Sequence, residues 1–295
     1  MEAIGSSTAR TWRSPLIGEP REIEVPGGRL EAFVRGTGPA IVFAHGWLSN
    51  ANLWRGVVDR LSGRFTCVAL DLPLGAHRRP IPGADLSPAG CGGIILASIE
   101  ALGLEEVTLV GNDSGGAYSQ IAVASDRERV ARLVLNGCET PFDEFPPPPF
   151  DGLPSAAQDV EGLGNLLGAL RDPAVREAPA AFGLLAKHGL ERPASDSYAL
   201  PCAEDPAIVA DAARAMSSAG SPPVHAAGRE LIASFDSPVL LLWAPEDEVF
   251  PIANARRYAA ELAAAELVEV ADAYSFMAED QPGAVADAIA RFAAP

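Results

Sequence analysis

The sequence is poor in the residues that would indicate a metal centre, a disulfide framework or a membrane anchor. It has four histidines in 295 residues, and none of them follows His225. Its four cysteines match no C-x-x-C or zinc-binding spacing, so buried, reduced thiols are expected. No apolar run approaches the roughly 18 residues of a membrane span, and Met1–Pro20 lacks the apolar segment of a signal peptide. We therefore expect a cytoplasmic protein without a metal.

Positive charge is also scarce. The chain has 22 Lys and Arg residues against 39 Asp and Glu, a formal net charge of −17 and a pI near 4.6. Such an acidic surface disfavours nucleic acids and anionic membranes as partners. Gly111–Gly116 lacks the G-x-G-x-x-G spacing of a dinucleotide site, and no lysine follows it as a phosphate loop requires. We expect no cofactor.

The chain does contain an alternation of strand and helix patterns. Helical periodicity is predicted at 51–61, 94–102, 252–262 and from residue 283. This order predicts an α/β fold with a mostly parallel eight-stranded sheet flanked by helices, and functional residues at the carboxyl ends of the strands. The predicted strands are Arg21–Val25, Leu30–Val34, Ala40–Ala44, Phe65–Leu70, Val107–Val110, Val130–Leu135, Pro238–Trp243 and Leu267–Val270.

One long segment interrupts the alternation. Thirteen of the 26 prolines lie between Pro141 and Pro223, including the run Pro146–Pro149, which cannot lie inside a strand or a helix. We predict that residues 139–235 form an inserted helical cap, or lid, entered through a stiff polyproline-like hinge. Residues 1–138 and 236–295 would then form the α/β core.

The most informative stretch is V-T-L-V-G-N-D-S-G-G, from Val107 to Gly116. A β-branched apolar run ends at a turn too tight for most side chains, and a helical pattern follows. Such a strand–turn–helix raises one residue above the edge of the sheet, beside backbone N–H groups and a helix N-terminus. Gly111 and Gly115 flank Asp113 in the G-x-nucleophile-x-G spacing, so the raised residue is an aspartate.

Five motifs together resemble those of capped α/β-hydrolase-fold proteins, and they span nearly the whole chain outside the predicted cap. The resemblance implies an α/β-hydrolase fold. The motifs are the oxyanion loop His45-Gly46-Trp47, the D-x-P loop at Asp71–Gly75, the nucleophile elbow at Gly111–Gly116, the acid-bearing segment at Trp243–Asp247 and the histidine-bearing segment at Asp272–Pro282.

An aspartate at the elbow resembles the haloalkane dehalogenases, fluoroacetate dehalogenases and soluble epoxide hydrolases. In those families the carboxylate attacks carbon, and a histidine oriented by a second acid activates the water that hydrolyses the ester. The resemblance implies that Asp113 is the nucleophile and Asp247 the acid. Trp47 would give a backbone N–H to the oxyanion hole and its indole to the pocket wall. Ser114 would direct its own N–H there, or act as a rival nucleophile in an elbow shifted by one residue.

The histidine of this pattern is missing. Ser275 occupies its expected position, where it could donate a hydrogen bond to Asp247 or to a substrate but cannot act as a base at pH 7. Loss of the triad histidine in a serine protease costs on the order of 10⁶ in kcat, so a plain copy of the dehalogenase mechanism should stall at the ester. Dehalogenases also place an indole where this chain has Ser114, and the predicted cap offers the epoxide-hydrolase mechanism one tyrosine, Tyr198.

Other residues could supply the missing base. His77 follows the D-x-P loop and, with strands about 4.8 Å apart, could reach the elbow aspartate from two strands away. His45 either braces the oxyanion loop or takes part directly, and His188 and His225 lie in the predicted cap. Glu139, just past the sixth strand, is at an alternative acid position used by some dehalogenases, or is a solvated hinge residue.

Three functions remain open. We expect a hydrolase that cleaves an epoxide, carbon–halogen or ester bond through Asp113. The alternative is an enzyme that uses the same carboxyl as a general acid/base, as a cyclase, lyase or isomerase of secondary metabolism. The chain could also be a ligand-binding protein that has lost catalysis. A small hydrophobic substrate is expected in each case, and no oligomeric state is predicted. The cap side chains predicted to line the pocket are Phe142, Phe145, Phe150, Leu166, Leu167, Leu170, Phe182 and Leu185.

Overall fold

A computed structural model describes residues 6–294 of the chain. Its centre is an eight-stranded sheet with the strand order β1-β2-β4-β3-β5-β6-β7-β8. β2 pairs antiparallel with β1 and β4, and every other neighbouring pair is parallel. The predicted eight-stranded, mostly parallel sheet is therefore confirmed. The strands are β1 Glu19–Val25, β2 Gly28–Arg35, β3 Ala40–Ala44, β4 Thr66–Leu70, β5 Val107–Asn112, β6 Val130–Asn136, β7 Val239–Trp243 and β8 Ala265–Glu269.

Helices flank this sheet. The described residues form the α-helices α1 Ser6–Arg10, α2 Arg55–Leu61, α3 Pro88–Ala101, α4 Ser114–Ser125, α5 Leu153–Ala156, α6 Val160–Gly168, α7 Pro173–Arg176, α8 Arg192–Glu204, α9 Pro206–Ser217, α10 Ser221–Ser234, α11 Ile252–Glu261, α12 Met277–Asp280 and α13 Pro282–Phe292. Short 3₁₀ helices lie at Pro15–Ile17, Ala51–Trp54, Ala169–Arg171 and Phe182–Leu184. α3, α4 and α10 pack together, and α2, α12 and α13 form a second group.

Burial explains why the central strands are apolar throughout. Every residue of β3, β5 and β7 is buried, as expected for parallel strands covered by helices on both faces. Because β3, β5, β6 and β7 run parallel, their carboxyl ends meet at one edge of the sheet. The oxyanion loop follows β3, the D-x-P loop follows β4, the elbow ends β5, and the acid-bearing and histidine-bearing segments follow β7 and β8.

The helix boundaries differ from the sequence prediction in three places. The helix predicted at 51–61 is a 3₁₀ turn over Ala51–Trp54 followed by α2. α3 begins at Pro88, six residues before the predicted start, behind an N-cap at Ser87 whose side chain accepts a hydrogen bond from the Gly90 N–H. α4 begins at Ser114, directly after the elbow and three residues before the apolar helical pattern that starts at Ala117 in the sequence. Capping chemistry and the tight turn set these starts, rather than apolar periodicity.

The chain between β6 and β7 is helical and contains α5 to α10. The division of core and cap at residues 139 and 235 stays a prediction. Within that segment, α5, α6 and α9 contact one another, whereas α10 packs against α3 and α4 beside the sheet. We therefore propose that the functional cap ends before α10, which serves as the core helix that leads into β7.

Candidate active site

The candidate active site is built around a strained turn at the end of β5. Asp113 adopts φ 54° and ψ −141°, a conformation that a residue with a Cβ rarely takes and that costs on the order of 1–3 kcal/mol. Two glycines make room for it. A Cβ on Gly46 would overlap the Asp113 carboxyl, and a Cβ on Gly115 would overlap the backbone of His45. The glycines of both motifs are thus required by close approach of the oxyanion loop to the elbow.

Ser114 and Trp47 join these two loops. The Trp47 backbone N–H, which is the predicted oxyanion-hole donor, donates to Ser114 Oγ at 2.9 Å. The Ser114 hydroxyl therefore occupies the position to which this donor points. The Trp47 indole N–H donates to the Ala212 carbonyl in α9 at 3.2 Å. Trp47 therefore ties the core loop to the helical insertion, and it also lines the cavity described below.

His45 is held by backbone groups on both sides of its ring. The Leu72 N–H donates to Nε2 at 2.9 Å, and Nδ1 lies 2.8 Å from the Gly46 carbonyl oxygen. Complete burial lowers the pKa of His45 to about 4, so the ring is neutral near pH 7. With both nitrogens engaged, this histidine braces the loop and has no free lone pair for a base.

The other three histidines also have partners outside the site. His77 was expected to reach Asp113, but its Nε2 lies 3.1 Å from Asp211 Oδ2 and its Nδ1 accepts the Gly75 N–H at 3.3 Å. The structure thus does not bring it to the elbow, because the buried carboxylate of α9 holds the ring away. Half-exposed His188 contacts Asp272, and His225 Nε2 lies 2.7 Å from the Asp143 carbonyl oxygen.

Asp113 opens into a cavity of about 280 Å³. Burial is the main cause that raises the pKa of its carboxyl to about 7; the negative charge of Asp247 also raises it, and a hydrogen bond from the Ser114 N–H opposes both. None of the four histidines is among the described residues that line this cavity. Its polar lining side chains are those of Asp113, Ser114 and Glu139, together with the Trp47 indole.

The rest of the lining is apolar and comes mostly from the segment between β6 and β7. Seven of the eight predicted side chains line the cavity. The exception is Phe142, which packs edge-on against Tyr258 and beneath the Arg257 guanidinium. Pro146 and Pro147 of the predicted hinge line the cavity directly. The additional apolar contributors include Leu48, Leu153, Val175, Met216 and Val249.

Asp247 and Ser275 form a pair behind the elbow. Asp247 Oδ1 accepts the Ser275 hydroxyl at 2.9 Å and the backbone N–H groups of Val249 and Phe250 at 2.9 and 3.1 Å. The expected hydrogen bond between Ser275 and Asp247 is therefore present. Burial raises the pKa of Asp247 to about 6, and the three donors oppose that rise. Its second oxygen has no hydrogen-bond partner among the described residues.

Glu139 is fully buried, so the interpretation as a solvated hinge residue is wrong. Neither of its carboxyl oxygens has a hydrogen-bond partner within residues 6–294. Burial and the neighbouring charge of Asp113 raise the pKa of this carboxyl well above its usual range. Glu139 thus lies in the cavity wall, where its surroundings favour the protonated form of the carboxyl.

Sequence reasoning missed two asparagines at the ends of neighbouring strands. Asn112 Nδ2 donates to the carbonyl oxygens of Asn136, Gly137 and Ser275 at 2.6, 3.2 and 2.8 Å. It thereby fixes the elbow to the loop that carries Ser275. Both amide atoms of Asn136 are buried without a partner in the described part of the chain. The sequence does show an asparagine at the end of each of these buried, apolar strands. That pattern could have indicated a structural role, because a buried polar side chain needs hydrogen-bond partners.

No group of three or more His, Cys, Asp or Glu side chains in residues 6–294 is arranged to hold a metal ion. Among the helices of the same residues, none is long and apolar enough to cross a bilayer.

Comparison with known proteins fits this geometry. The family model of the α/β-hydrolase fold matches residues 39–282, and the chain therefore belongs to the α/β-hydrolase-fold family. It is 28% identical over 277 residues to haloalkane dehalogenase 2 of Mycobacterium tuberculosis, covering 92% of this chain and 93% of that protein. It is 30% identical over 129 residues to a soluble epoxide hydrolase of Corynebacterium sp., covering 42% of this chain and 44% of that protein.

The chain is also similar to a second mycobacterial protein and to a solved dehalogenase structure. An uncharacterized protein of Mycobacterium tuberculosis is 36% identical over 111 residues, and the match spans 38% of this chain and about a third (32%) of that protein's length. The crystal structure of the haloalkane dehalogenase DatA from Agrobacterium tumefaciens C58 superposes with a TM-score of 0.78 at 18% identity, covering 95% of this chain and 99% of that one. At that identity the superposition supports the fold alone.

Proposed function

We propose that this chain is an enzyme that transfers protons on a small apolar substrate, with Asp113 as its general acid/base. Cyclisation, elimination and isomerisation are reactions of this kind. The observation that carries the proposal is that the Asp113 carboxyl opens into an apolar cavity while each of the four imidazoles has its partners elsewhere. A carboxyl in this position can exchange protons with a substrate, but no histidine lies beside it to activate water.

The electrostatics of Asp113 support the same reaction type. A pKa of about 7 leaves comparable amounts of the acid and the carboxylate at neutral pH. General acid/base catalysis is most efficient when the pKa of the catalytic group lies near the working pH. The apolar lining favours substrates with one oxygen function on a hydrocarbon body, because few polar groups are available to bind others.

Hydrogen exchange on an apolar ketone tests this function directly. Propiophenone is incubated with the protein in D₂O, and the loss of its α-hydrogen signal is followed by NMR. We expect the unmodified protein to catalyse exchange and Asp113→Asn to lose it. The exposed Asp151→Asn is the matched control and should exchange at the original rate. Absence of exchange by the unmodified protein, or full activity of Asp113→Asn, would contradict the proposal.

A second candidate function is hydrolysis through an ester of Asp113. It is favoured by the likeness to haloalkane dehalogenase 2 over almost the whole chain and by the strained elbow. With Ser275 in place of a histidine, the ester should form and persist. Incubation with 1-bromohexane, in which the carboxylate oxygen bonds to carbon and bromide leaves, should then add one hexyl group to Asp113. Intact-protein mass spectrometry detects this addition, and its absence would remove the second candidate.

A further inference from the structure

We propose, building on the function above, that Glu139 is the proton donor that works opposite Asp113 on an oxygen atom of the substrate. The cavity would then take apolar molecules that carry a hydrogen-bond-accepting oxygen a short distance from an acidic hydrogen. Ketones, esters and hydroxylated epoxides have this combination. In this proposal Glu139 acts on the substrate and does not serve to orient a histidine.

The sheet places Asp113 and Glu139 in neighbouring loops. β5 and β6 are parallel neighbours, with Asn112 paired to Asn136. Asp113 directly follows β5, and its backbone N–H donates to the Gly137 carbonyl at 2.9 Å. Glu139 follows two residues beyond Gly137, and both acids line the same cavity. Both acidic residues therefore contribute to the wall of one cavity.

Glu139 differs from the other buried side chains that lack a partner. Seven buried side-chain atoms in the described residues have none: Trp54 Nε1, Asn112 Oδ1, both amide atoms of Asn136, Asp247 Oδ2 and both carboxyl oxygens of Glu139. Of these residues, only Glu139 is among those described as lining the cavity. Leaving a buried polar group unpaired is costly, and a substrate oxygen is the partner that the cavity can supply.

The cavity also determines which form of Glu139 is present. Among the described residues that line it, there is no Lys, Arg or His. An ionised carboxylate there would be buried without a counter-charge, beside a second acid. The carboxyl therefore keeps its proton and acts as an O–H donor, consistent with the upward shift of its pKa.

Hydrogen bonds hold the backbone around Glu139 in place. Its carbonyl accepts Gln120 Nε2 at 2.7 Å, and the Tyr258 hydroxyl donates to Gln120 Oε1 at 3.0 Å. On the other side, the Thr140 N–H donates to Asp143 Oδ2 at 2.8 Å. The acid thus extends from a fixed segment, as a catalytic group requires.

The proposed step on a ketone is balanced in protons and electrons. The Asp113 carboxylate removes an α-hydrogen, and the C–H electron pair forms the carbon–carbon double bond of the enol. The carbonyl π pair moves onto oxygen, which takes the proton of Glu139. Asp113 is then protonated and Glu139 ionised, and reversal of the step restores both. In D₂O the proton on Asp113 exchanges with solvent before the step reverses, and the reversal then places deuterium on the α-carbon.

The kinetic test is Glu139→Gln in the propiophenone exchange assay. Glutamine keeps the size and a hydrogen-bond donor but has no proton to transfer, so we expect kcat to fall roughly 10²–10⁴-fold with KM little changed. The matched control, Glu144→Gln, changes an exposed carboxyl five residues away and should have no effect. If Asp113→Asn abolishes exchange and Glu139→Gln leaves kcat unchanged, this inference is wrong and the proposed function stands. If neither variant matters, both fail.

An infrared measurement tests the contact without relying on turnover. The carbonyl stretch of bound propiophenone should lie at lower frequency than in an apolar solvent, because Glu139 donates to its oxygen. Glu139→Leu removes the donor and should return the band to the apolar position, whereas Asp113→Asn should keep the lowered frequency. An identical band in the unmodified protein and in Glu139→Leu would overturn the assignment, and so would failure of the ketone to bind.

Discussion

Replacing Asp113 with asparagine should stabilise the protein in a pH-dependent way. The folded protein holds the Asp113 proton up to a pKa of about 7, whereas the unfolded chain loses it near the ordinary value of 3.8. As the pH rises between these values, the unfolded chain binds fewer protons than the folded protein, so the free energy of unfolding falls. Asparagine imitates the neutral acid and does not titrate.

The size of the effect follows from the shift in pKa. A rise from 3.8 to about 7 corresponds to roughly 4 kcal/mol, since one pKa unit is worth about 1.4 kcal/mol. The advantage of Asp113→Asn over the unmodified protein should therefore be smallest below about pH 4, grow between about pH 4 and 7, and stay constant above that range. The strained backbone at this position is the same in both proteins and does not contribute to the difference.

Urea unfolding at a series of pH values measures this difference. The free energies of unfolding of the unmodified protein, Asp113→Asn and the exposed control Asp151→Asn are compared from about pH 4 to pH 8. The control should follow the unmodified protein within a few tenths of a kcal/mol. A difference between Asp113→Asn and the unmodified protein that does not change with pH would refute the reasoning, because the carboxyl would then be ionised in the folded state at low pH.

Three further substitutions test other parts of the site. Ser275→His should allow repeated bromide release from 1-bromohexane, measured with a halide electrode, where the unmodified protein stops at one equivalent; an unchanged yield would show that more than the imidazole is missing. Gly46→Ala should lower ketone exchange roughly 10²-fold by displacing the Asp113 carboxyl, whereas the exposed Gly63→Ala should not. His77→Gln should lower the free energy of unfolding by about 1–3 kcal/mol and leave the kcat for exchange unchanged; a large loss of kcat would restore His77 as a candidate base.

The sheet could be predicted from the sequence because each strand pattern is local. β3, β5 and β7 are short apolar runs bounded by turn residues, and their alternation with helices implies parallel pairing. The same reasoning located Asp113, since its flanking glycines indicate a turn that the backbone must make. The pairing of Asp247 with Ser275 also followed, because both positions match motifs of one fold.

Side-chain partners from distant segments could not be predicted in this way. His77 follows the correct strand, but Asp211, 134 residues later in α9, determines where its ring lies. Glu139 directly precedes a proline-rich stretch that is typical of a solvated hinge, yet its side chain is buried. Both outcomes depend on how the helices between β6 and β7 pack on the core, and no local pattern encodes that packing.

The presence of Ser275 in place of a histidine affects the charge of the whole site. A histidine at position 275 could carry a positive charge between Asp113 and Asp247, and each carboxyl could then remain ionised. With serine there, no cationic side chain is among the described residues that line the cavity. Burial raises the pKa of both Asp113 and Glu139, and the charge of Asp247 adds to the shift of Asp113 as the charge of Asp113 adds to that of Glu139. Asp113 is therefore partly protonated near neutral pH, and the protonated form of Glu139 is favoured. A site that holds protons in this way suits reactions that move a hydrogen within a substrate better than reactions that need an activated water.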